Sequence, residues 1–140
     1  VTKLSDRFGS QSVVVSIDVQ RNWMNKPKLY NSVIAGSSNF KWLEFIKNAV
    51  ISGAGEILLN SVDKDGTFKG PDLELIKLAS MEISTPLIYC GGIGSIKDFN
   101  ESFIAGASAV AAGSFFVFYG PHKAVLITYP SQEEFTCVFN

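Results

Sequence analysis

Four short runs of apolar residues occur along the chain, separated by longer segments in which apolar residues recur at helical spacing. The runs cover residues 12–17, 56–59, 86–89 and 109–112. Apolar residues occupy both faces of such runs, which is typical of parallel strands buried on both sides. Because parallel strands need a long connection, usually a helix, the alternation predicts an α/β fold of four β–α units.

The helical segments carry recognisable start signals. Asn39 is the predicted cap of the first helix. Pro71 and Asp72 start the second helix, and Ser95 starts the third. Residues 19–38 are polar and aromatic with no helical period, so we expect a loop between the first strand and the first helix.

An internal repeat narrows the choice of fold. Residues 52–61 align with residues 105–114, and each copy contains a helix-ending turn, a strand and a small polar residue at the end of the strand. Such a repeat favours a barrel built by duplication. A flavodoxin-like doubly wound sheet stays open as the alternative, because strand order is not visible in a sequence.

Composition and charge limit the possible partners. The chain of 140 residues is 46% hydrophobic and 18% charged, which suits one folded domain over residues 1–140. Twelve basic residues balance 13 acidic ones, so the net charge gives no reason to expect nucleic acid or an anionic membrane as partner. The apolar stretch 105–118 is too short to span a bilayer, and no basic-then-apolar leader opens the sequence. We therefore expect a cytoplasmic protein.

The residues that could carry chemistry follow the predicted strands, at the end of the sheet where β–α folds gather ligands. Asp18 follows the first strand, and its carboxylate at that position favours a catalytic role. The other strand ends supply Asn60, Ser61, Asp65, Gly66, Cys90, Gly92, Gly113 and Ser114. Glycine amides can approach an anion closely, and two glycine turns in consecutive units predict a phosphate site.

Other readings of these motifs fit less well. Residues 61–72 resemble a calcium loop only in part, because Ser61 replaces the leading aspartate and a strand precedes the loop. Residues 91–94 do not match the dinucleotide-binding glycine pattern. Cys90 and the only histidine, His122, show no sign of meeting, so a small buried thiol is the better reading. We expect no metal and no cofactor.

Four segments carry a resemblance to a known family. They are 8–21 (FGSQSVVVSIDVQR), 53–67 (GAGEILLNSVDKDGT), 89–94 (YCGGIG) and 111–114 (AAGS). In this order they resemble the second half of the cyclase subunit of imidazole glycerol phosphate synthase, with the match covering about residues 5–120. The resemblance implies the C-terminal half of a (β/α)₈ TIM barrel.

The resemblance also implies a reaction. Ammonia from a glutaminase partner attacks a phosphorylated ribulosyl-formimino carboxamide nucleotide, giving imidazole glycerol phosphate and an aminoimidazole carboxamide ribotide in histidine biosynthesis. Asp18 matches a proton-transferring aspartate, and one substrate phosphate is matched by Asp65, Gly66, Gly92, Gly113 and Ser114. Asn60, Ser61 and Cys90 are assigned to substrate contact. The first-half catalytic aspartate has no counterpart in this sequence, so activity of this chain is left open.

Three departures from the family pattern keep other functions open. Residues 22–38 lack a Gly-Gly-Arg segment, Cys90 replaces the usual serine, and residues 115–130 lack a charged amphipathic helix. That ending resembles a branch associated with surface-sugar biosynthesis, which delivers ammonia together with an amidotransferase. A non-catalytic half-barrel that binds phosphate is the third possibility. With two open sheet edges and an apolar face, the half-barrel is expected to form a homo-oligomer.

Overall fold

A mixed sheet with helices on one side forms the body of the protein. The computed structural model describes residues 1–33, 36–37 and 40–139. Its strands are β1 (Val14–Arg21), β2 (Pro27–Asn31), β3 (Gly36–Ser37), β4 (Glu56–Ser61), β5 (Leu87–Cys90), β6 (Ala109–Ala111), β7 (Phe118–Tyr119) and β8 (Ala124–Val125). Its helices are α1 (Thr2–Phe8), α2 (Trp42–Ile51), α3 (Leu73–Ser80), α4 (Ile96–Ile104), α5 (Ser114–Val117) and α6 (Gln132–Phe139).

The four predicted parallel strands are confirmed. Strands β1, β4, β5 and β6 lie side by side in the order of the chain, and each neighbouring pair is parallel. A doubly wound sheet reverses its strand order at a switch point. The sequential order within the described residues therefore favours the barrel over the flavodoxin-like alternative.

The core lies between the sheet and the helices on one of its faces. Alternate strand residues such as Ile17, Ile57, Leu59 and Leu87 are almost completely buried. Helices α2, α3 and α4 contribute further buried side chains, namely Trp42, Ile46, Ala49, Leu75, Ile76, Ala79 and Phe99. Because side chains alternate between the faces of a strand, the intervening residues point to the other face.

That other face of the sheet carries no helix among the described residues. Val14 is 50% exposed there, and Ser16 and Ala109 are also exposed. Leu58 and Ile88 lie between them and are only partly buried. In a closed barrel this face would be the interior, so we call it the inner face.

The predicted helix start signals are confirmed where the structure describes them. The Asp72 side chain accepts a hydrogen bond from the Leu75 amide at 3.1 Å, which caps α3. At the start of α4, the Asp98 carboxylate accepts from the amides of Gly94 and Ser95 at 2.8 and 3.0 Å. The predicted cap Asn39 lies outside the described residues.

The segment expected to be a loop after the first strand contains a β-hairpin. Strand β1 continues to Arg21 instead of ending at Ile17, and β2 pairs with it in antiparallel register from Val19↔Leu29 to Arg21↔Pro27. Leu29 is buried, which gives β2 an anchor in the core. One of the two sheet edges expected to be open is therefore partly covered by β2.

The chain outside the four units packs at the two ends of the fold. Helix α1 contacts the turn after α2, where the Ser5 hydroxyl donates to the Ser52 carbonyl at 3.4 Å. After β6 the chain forms α5, the β7–β8 hairpin and α6. Residues 115–130 thus form no long amphipathic helix, but α6 follows them. Its Phe135 ring packs edge-on against Phe99 of α4, with ring centroids 5.7 Å apart.

None of the described helices could span a membrane. The longest, α2, has 10 residues, about half the length that a bilayer requires.

Candidate functional site

A row of four residues crosses the inner face near the C-terminal ends of the parallel strands. Asp18 is paired in register with Asn60, Asn60 with Cys90, and Cys90 with Ala111. Residues paired in this way project from the same face of a sheet. The structure therefore brings together Asp18, Asn60 and Cys90, which the sequence had placed at three separate strand ends.

Asp18 and Asn60 are joined by a hydrogen bond. The Asn60 Nδ2 group donates to Asp18 Oδ1 at 3.0 Å. This bond fixes the orientation of the amide, because turning it over would place its oxygen against the carboxylate. Asn60 Oδ1 is buried and has no hydrogen-bond partner within the described residues. A buried acceptor without a donor costs about 1–3 kcal/mol, so a donor from a ligand or water would stabilise this position.

A small cleft beside this row gathers the predicted phosphate-binding residues. Asp65, Gly66, Gly92, Gly113 and Ser114 all line it, together with Cys90, Gly91, Ile93 and Ala112. The turns after β4 and β6 meet there, since a β-carbon placed on Gly66 would lie 3.9 Å from Ser114 Oγ. We call this feature the anion cleft.

Backbone amides in the anion cleft are available to a ligand. The N–H groups of Gly66, Gly92 and Gly113 have no protein acceptor in the described part of the chain. Gly92 is itself buried, and buried amides without a partner are rare in folded proteins. The amides of Gly94 and Ser95, just before α4, are by contrast already bound by Asp98. The glycine turns therefore offer unbound donors to an anion in the cleft.

Cys90 is poorly suited to nucleophilic attack. Burial raises the pKa of its thiol above the ordinary value, and the nearby charges of Asp65 and Asp18 raise it further. The thiol therefore stays protonated at neutral pH, when a nucleophilic cysteine must be a thiolate. His122 is exposed in the turn between β7 and β8. The protonated thiol and the exposed histidine both agree with the prediction that Cys90 is a small packing residue.

Ser61 does not join the other candidates. It is 3% exposed and follows Asn60 directly in β4, so its side chain lies on the helix-covered face. There it hydrogen-bonds to the Tyr89 hydroxyl, which also accepts the Asp72 amide at 2.8 Å. Burial raises the pKa of Tyr89 to about 12. This position argues against contact between Ser61 and a ligand on the inner face.

Arg21 connects several loops at this end of the sheet, a role that sequence reasoning missed. Its guanidinium donates to both carboxylate oxygens of Asp72, from Nε at 2.7 Å and from Nη2 at 2.8 Å. It also bonds to Glu74 Oε2 at 2.9 Å and to the Asn25 carbonyl at 2.7 Å. The Arg21 amide donates to Asp63. Arg21 thus anchors residues 62–72, which include the cleft residues Asp65 and Gly66.

The ion pair sets the protonation of Asp72. Burial alone would raise the pKa of this carboxyl, but the hydrogen bonds and charge of Arg21 lower it below the ordinary value overall. The same hydrogen bonds raise the pKa of Arg21. Both groups are therefore charged at neutral pH.

We expect Arg21→Met to destabilise the fold by about 2 kcal/mol at pH 7. The change leaves Asp72, which is only 7% exposed, without its partner, and breaking a buried pair costs about 3–5 kcal/mol when both partners are fully buried. Because folding lowers the pKa of Asp72, the contribution of the pair is complete above about pH 4 and is lost as the pH falls through the lowered value. Urea unfolding at pH 7 and at acid pH measures both effects.

The control for this prediction is Lys97→Met. Lys97 pairs with Glu101 on an exposed face of α4, where ion pairs contribute little. Equal losses of stability in the Arg21 and Lys97 variants would contradict the special role of Arg21.

The described residues hold no group of three or more His, Cys, Asp or Glu side chains arranged for a metal ion. What the site offers instead is one carboxylate, Asp18, beside an amide, Asn60, with a cleft of glycine amides next to them. Free glycine amides are the kind of donor that suits an anionic group, and a carboxylate held by a hydrogen bond is the kind of group that suits proton transfer.

Comparison with known proteins identifies the family of the chain. The sequence profile of the histidine biosynthesis protein family matches residues 1–122. A Pseudomonas aeruginosa protein, provisionally named imidazole glycerol phosphate synthase subunit hisF2, is 42% identical over 131 residues, which are 93% of this chain and 52% of the relative. Imidazole glycerol phosphate synthase subunit HisF of Helicobacter hepaticus is 40% identical over 129 residues, with 92% and 51% covered.

The share of each relative that the alignment covers indicates how much of the family's fold this chain contains. The HisF subunit of Alkaliphilus metalliredigens is 38% identical over 117 residues, or 83% of this chain and 46% of the relative. The chain spans about half the length of the curated relatives it matches, and its four parallel β–α units agree with the predicted half of a (β/α)₈ barrel. The chain therefore belongs to the histidine biosynthesis protein family and corresponds to half of a HisF-type subunit of imidazole glycerol phosphate synthase.

Proposed function

We propose that the chain provides the second-half catalytic end of a cyclase that forms imidazole glycerol phosphate with ammonia. The observation that carries the proposal is that Asp18 and the anion cleft lie at the same end of the sheet. The cleft holds one phosphate of the substrate through the amides of its glycine turns and the Ser114 hydroxyl. Asp18 moves a proton at the reacting end, and Asn60 and Cys90 line the path between them.

Each of these residues has a distinct role in the proposed reaction. A carboxylate that accepts a hydrogen bond from Asn60 is held in place and can take a proton from the attacking nitrogen. The free acceptor Asn60 Oδ1 adds a position for an N–H or O–H group of the substrate. The second phosphate site and the second catalytic carboxylate that the family resemblance implies belong to the half of the relatives that this chain does not cover.

A glutaminase partner is part of the proposal. Three large apolar residues, Ile51, Met81 and Ile104, lie at or just after the C-terminal ends of α2, α3 and α4, and each is more than 70% exposed. In β–α units the helices run opposite to the strands, so these residues lie at the N-terminal end of the sheet. An exposed apolar group repeated in successive units favours protein contact there.

The inner face must also be covered when the other half of the barrel is absent. We propose that a second copy of this chain then covers it, which would make the isolated protein a homo-oligomer. The partly exposed apolar residues of that face support this, and so does the outer edge of β6, which pairs with no other strand in the described part of the chain.

Turnover measurements test the proposed activity. The 140-residue chain, alone and mixed with the first half of the Alkaliphilus metalliredigens subunit, is given the ribulosyl-formimino carboxamide nucleotide and ammonium chloride. We expect imidazole glycerol phosphate to form in the mixture, and glutamine to replace ammonium only when a glutaminase subunit is added. A folded mixture, shown by sedimentation, that forms no product would contradict the proposal.

A second candidate rests on the C-terminal segment. The β7–β8 hairpin and α6 take the place of a long final helix, which is the ending that resembles the surface-sugar branch. In that case the chain would deliver ammonia to a sugar-modifying partner. Ammonia released from glutamine in the presence of an amidotransferase, without cyclisation of the nucleotide, would favour this candidate.

A further inference from the structure

One buried hydroxyl, that of Tyr89, lies on the helix-covered face of the sheet, opposite the row of candidate residues. Tyr89 precedes Cys90 in β5, and its side chain is completely buried. Because side chains alternate along a strand, Tyr89 points away from Cys90 and from the inner face. The hydroxyl therefore has no direct part in the reaction proposed above.

The hydroxyl joins the two ends of the segment that carries two of the cleft residues. This segment, residues 62–71, runs from the end of β4 to the cap of α3, and we call it the β4–α3 loop. At its C-terminal end, the Asp72 amide donates to Tyr89 Oη at 2.8 Å. At its N-terminal end, the Ser61 side chain hydrogen-bonds to the same hydroxyl. A single side chain of β5 therefore holds both ends of the loop.

Ser61 in turn contacts both turns that meet beside it. Its carbonyl oxygen accepts hydrogen bonds from the amides of Lys64 and Asp65, each at 3.1 Å. A β-carbon on Gly91 would lie 2.7 Å from the same oxygen, so the turn after β5 approaches Ser61 closely. The position of Ser61 therefore affects the turn after β4 and the turn after β5 together.

The bond to Asp72 connects the loop to the strand that leads into the other wall of the cleft. Arg21 ties Asp72 to β1, whereas Tyr89 ties it to β5. Strand β5 leads directly into Gly91 and Gly92, which line the anion cleft. The bond to Tyr89 is buried, so the Asp72 amide cannot replace it with a bond to water unless the loop moves. The separation of the two walls therefore depends on the Tyr89 hydroxyl.

We propose that Tyr89 is a positioning residue of the anion cleft, which sets the separation of the Gly66 and Gly92 amides. It does not contact the phosphate itself and acts through Ser61 and Asp72. The inference rests on the proposed function only in taking the cleft as a phosphate site. It adds a residue on the opposite face of the sheet that determines how tightly phosphate is bound.

Hydrogen exchange of backbone amides tests the positioning role without any ligand. Tyr89→Phe removes the hydroxyl and keeps the ring, and one lost hydrogen bond shifts a local opening equilibrium by about 5- to 10-fold. We expect the amides of Asp65 and Gly70 to exchange faster by that factor. Ile46→Val is the control, because it weakens the core from α2, which does not line the cleft.

Ser61→Ala is a second variant that keeps the whole Tyr89 side chain. It is expected to accelerate exchange of the same two amides by a smaller factor, since only one of the bonds to the hydroxyl is lost. If Tyr89→Phe did not fold, the Ser61 variant would decide the question alone. Unchanged exchange in both variants, or equal acceleration in the Ile46 control, would overturn the proposal.

Calorimetric titration with inorganic phosphate connects the loop to the cleft. Only the closed arrangement presents amides from both turns, so we expect Tyr89→Phe to bind phosphate at least about threefold more weakly. In the proposed reaction, the same variant should raise KM and leave kcat within about twofold, because Asp18 lies on the opposite face of the sheet.

The outcomes distinguish this proposal from the proposed function. Unchanged phosphate affinity in Tyr89→Phe, or a loss confined to kcat, would overturn the positioning role and leave the phosphate cleft intact. Failure of the unchanged chain to bind phosphate would overturn the cleft and the positioning role together.

Discussion

Asp18→Asn is expected to lower the proposed ammonia-dependent turnover by about 100- to 10,000-fold, the usual contribution of a positioned acid or base. The amide has nearly the same shape as the carboxylate, and its oxygen can still accept the hydrogen bond from Asn60 Nδ2. It cannot take up a proton at neutral pH. The loss should therefore fall on kcat, with little change in the affinity for substrate or in the thermal unfolding temperature.

Asp63→Asn provides the matched comparison. Asp63 is an exposed aspartate at the same end of the sheet, where it accepts the Arg21 amide. An asparagine there can make the same bond, so turnover should stay within about threefold of the unchanged chain, a change of less than 1 kcal/mol in the barrier. Similar losses in both variants would mean that charge in general, and not proton transfer by Asp18, supports the reaction.

Gly92→Ala is expected to destabilise the fold by about 3 kcal/mol or more and to abolish binding of phosphate to the anion cleft. Gly92 has φ of 82°, in a region that alanine adopts only with strain. A β-carbon there would lie 2.3 Å from the Gly70 carbonyl oxygen, so the backbone around Gly70 would have to move. Gly70 in turn donates its amide to the Gly92 carbonyl at 2.9 Å. The substitution therefore pushes apart the turns after β4 and β5, which form two walls of the anion cleft.

Gly113→Ala is the control that distinguishes backbone strain and steric overlap from the simple addition of a methyl group in the cleft. Gly113 lines the same cleft, has φ of −100°, and would bring its new β-carbon within 4 Å of no other group among the described residues. Chemical denaturation should show nearly unchanged stability for this variant. If Gly92→Ala proved equally harmless, the close approach of the turns after β4 and β5 would not be required for the fold.

Local patterns predicted the parts of the fold that depend on neighbours in sequence. Asp72 and Ser95 were identified as helix starts because capping involves residues three or four apart. The gathering of candidates at one end of the sheet followed from the general geometry of β–α units. The hairpin was missed, since the pairing of β2 with β1 depends on contacts that the polar composition of residues 19–38 does not show.

In the candidate site, too, the features that depend on long-range contacts could not be predicted from the sequence. Ser61 was grouped with Asn60 because the two are adjacent in sequence, yet adjacent strand residues point to opposite faces. Counting from the buried Ile57 and Leu59 would have placed Ser61 on the helix side. The contact between Arg21 and Asp72 joins residues 51 positions apart and leaves no local pattern.

The hairpin on β1 has a consequence for how the barrel can close. Strand β2 occupies the edge of β1 from Val19 to Arg21, while no described strand pairs with that edge from Val14 to Asp18. A strand docking there has five positions available and must end below Val19. The hairpin thus limits how far an incoming strand can extend along β1, and a strand that extends to this limit ends level with Asp18.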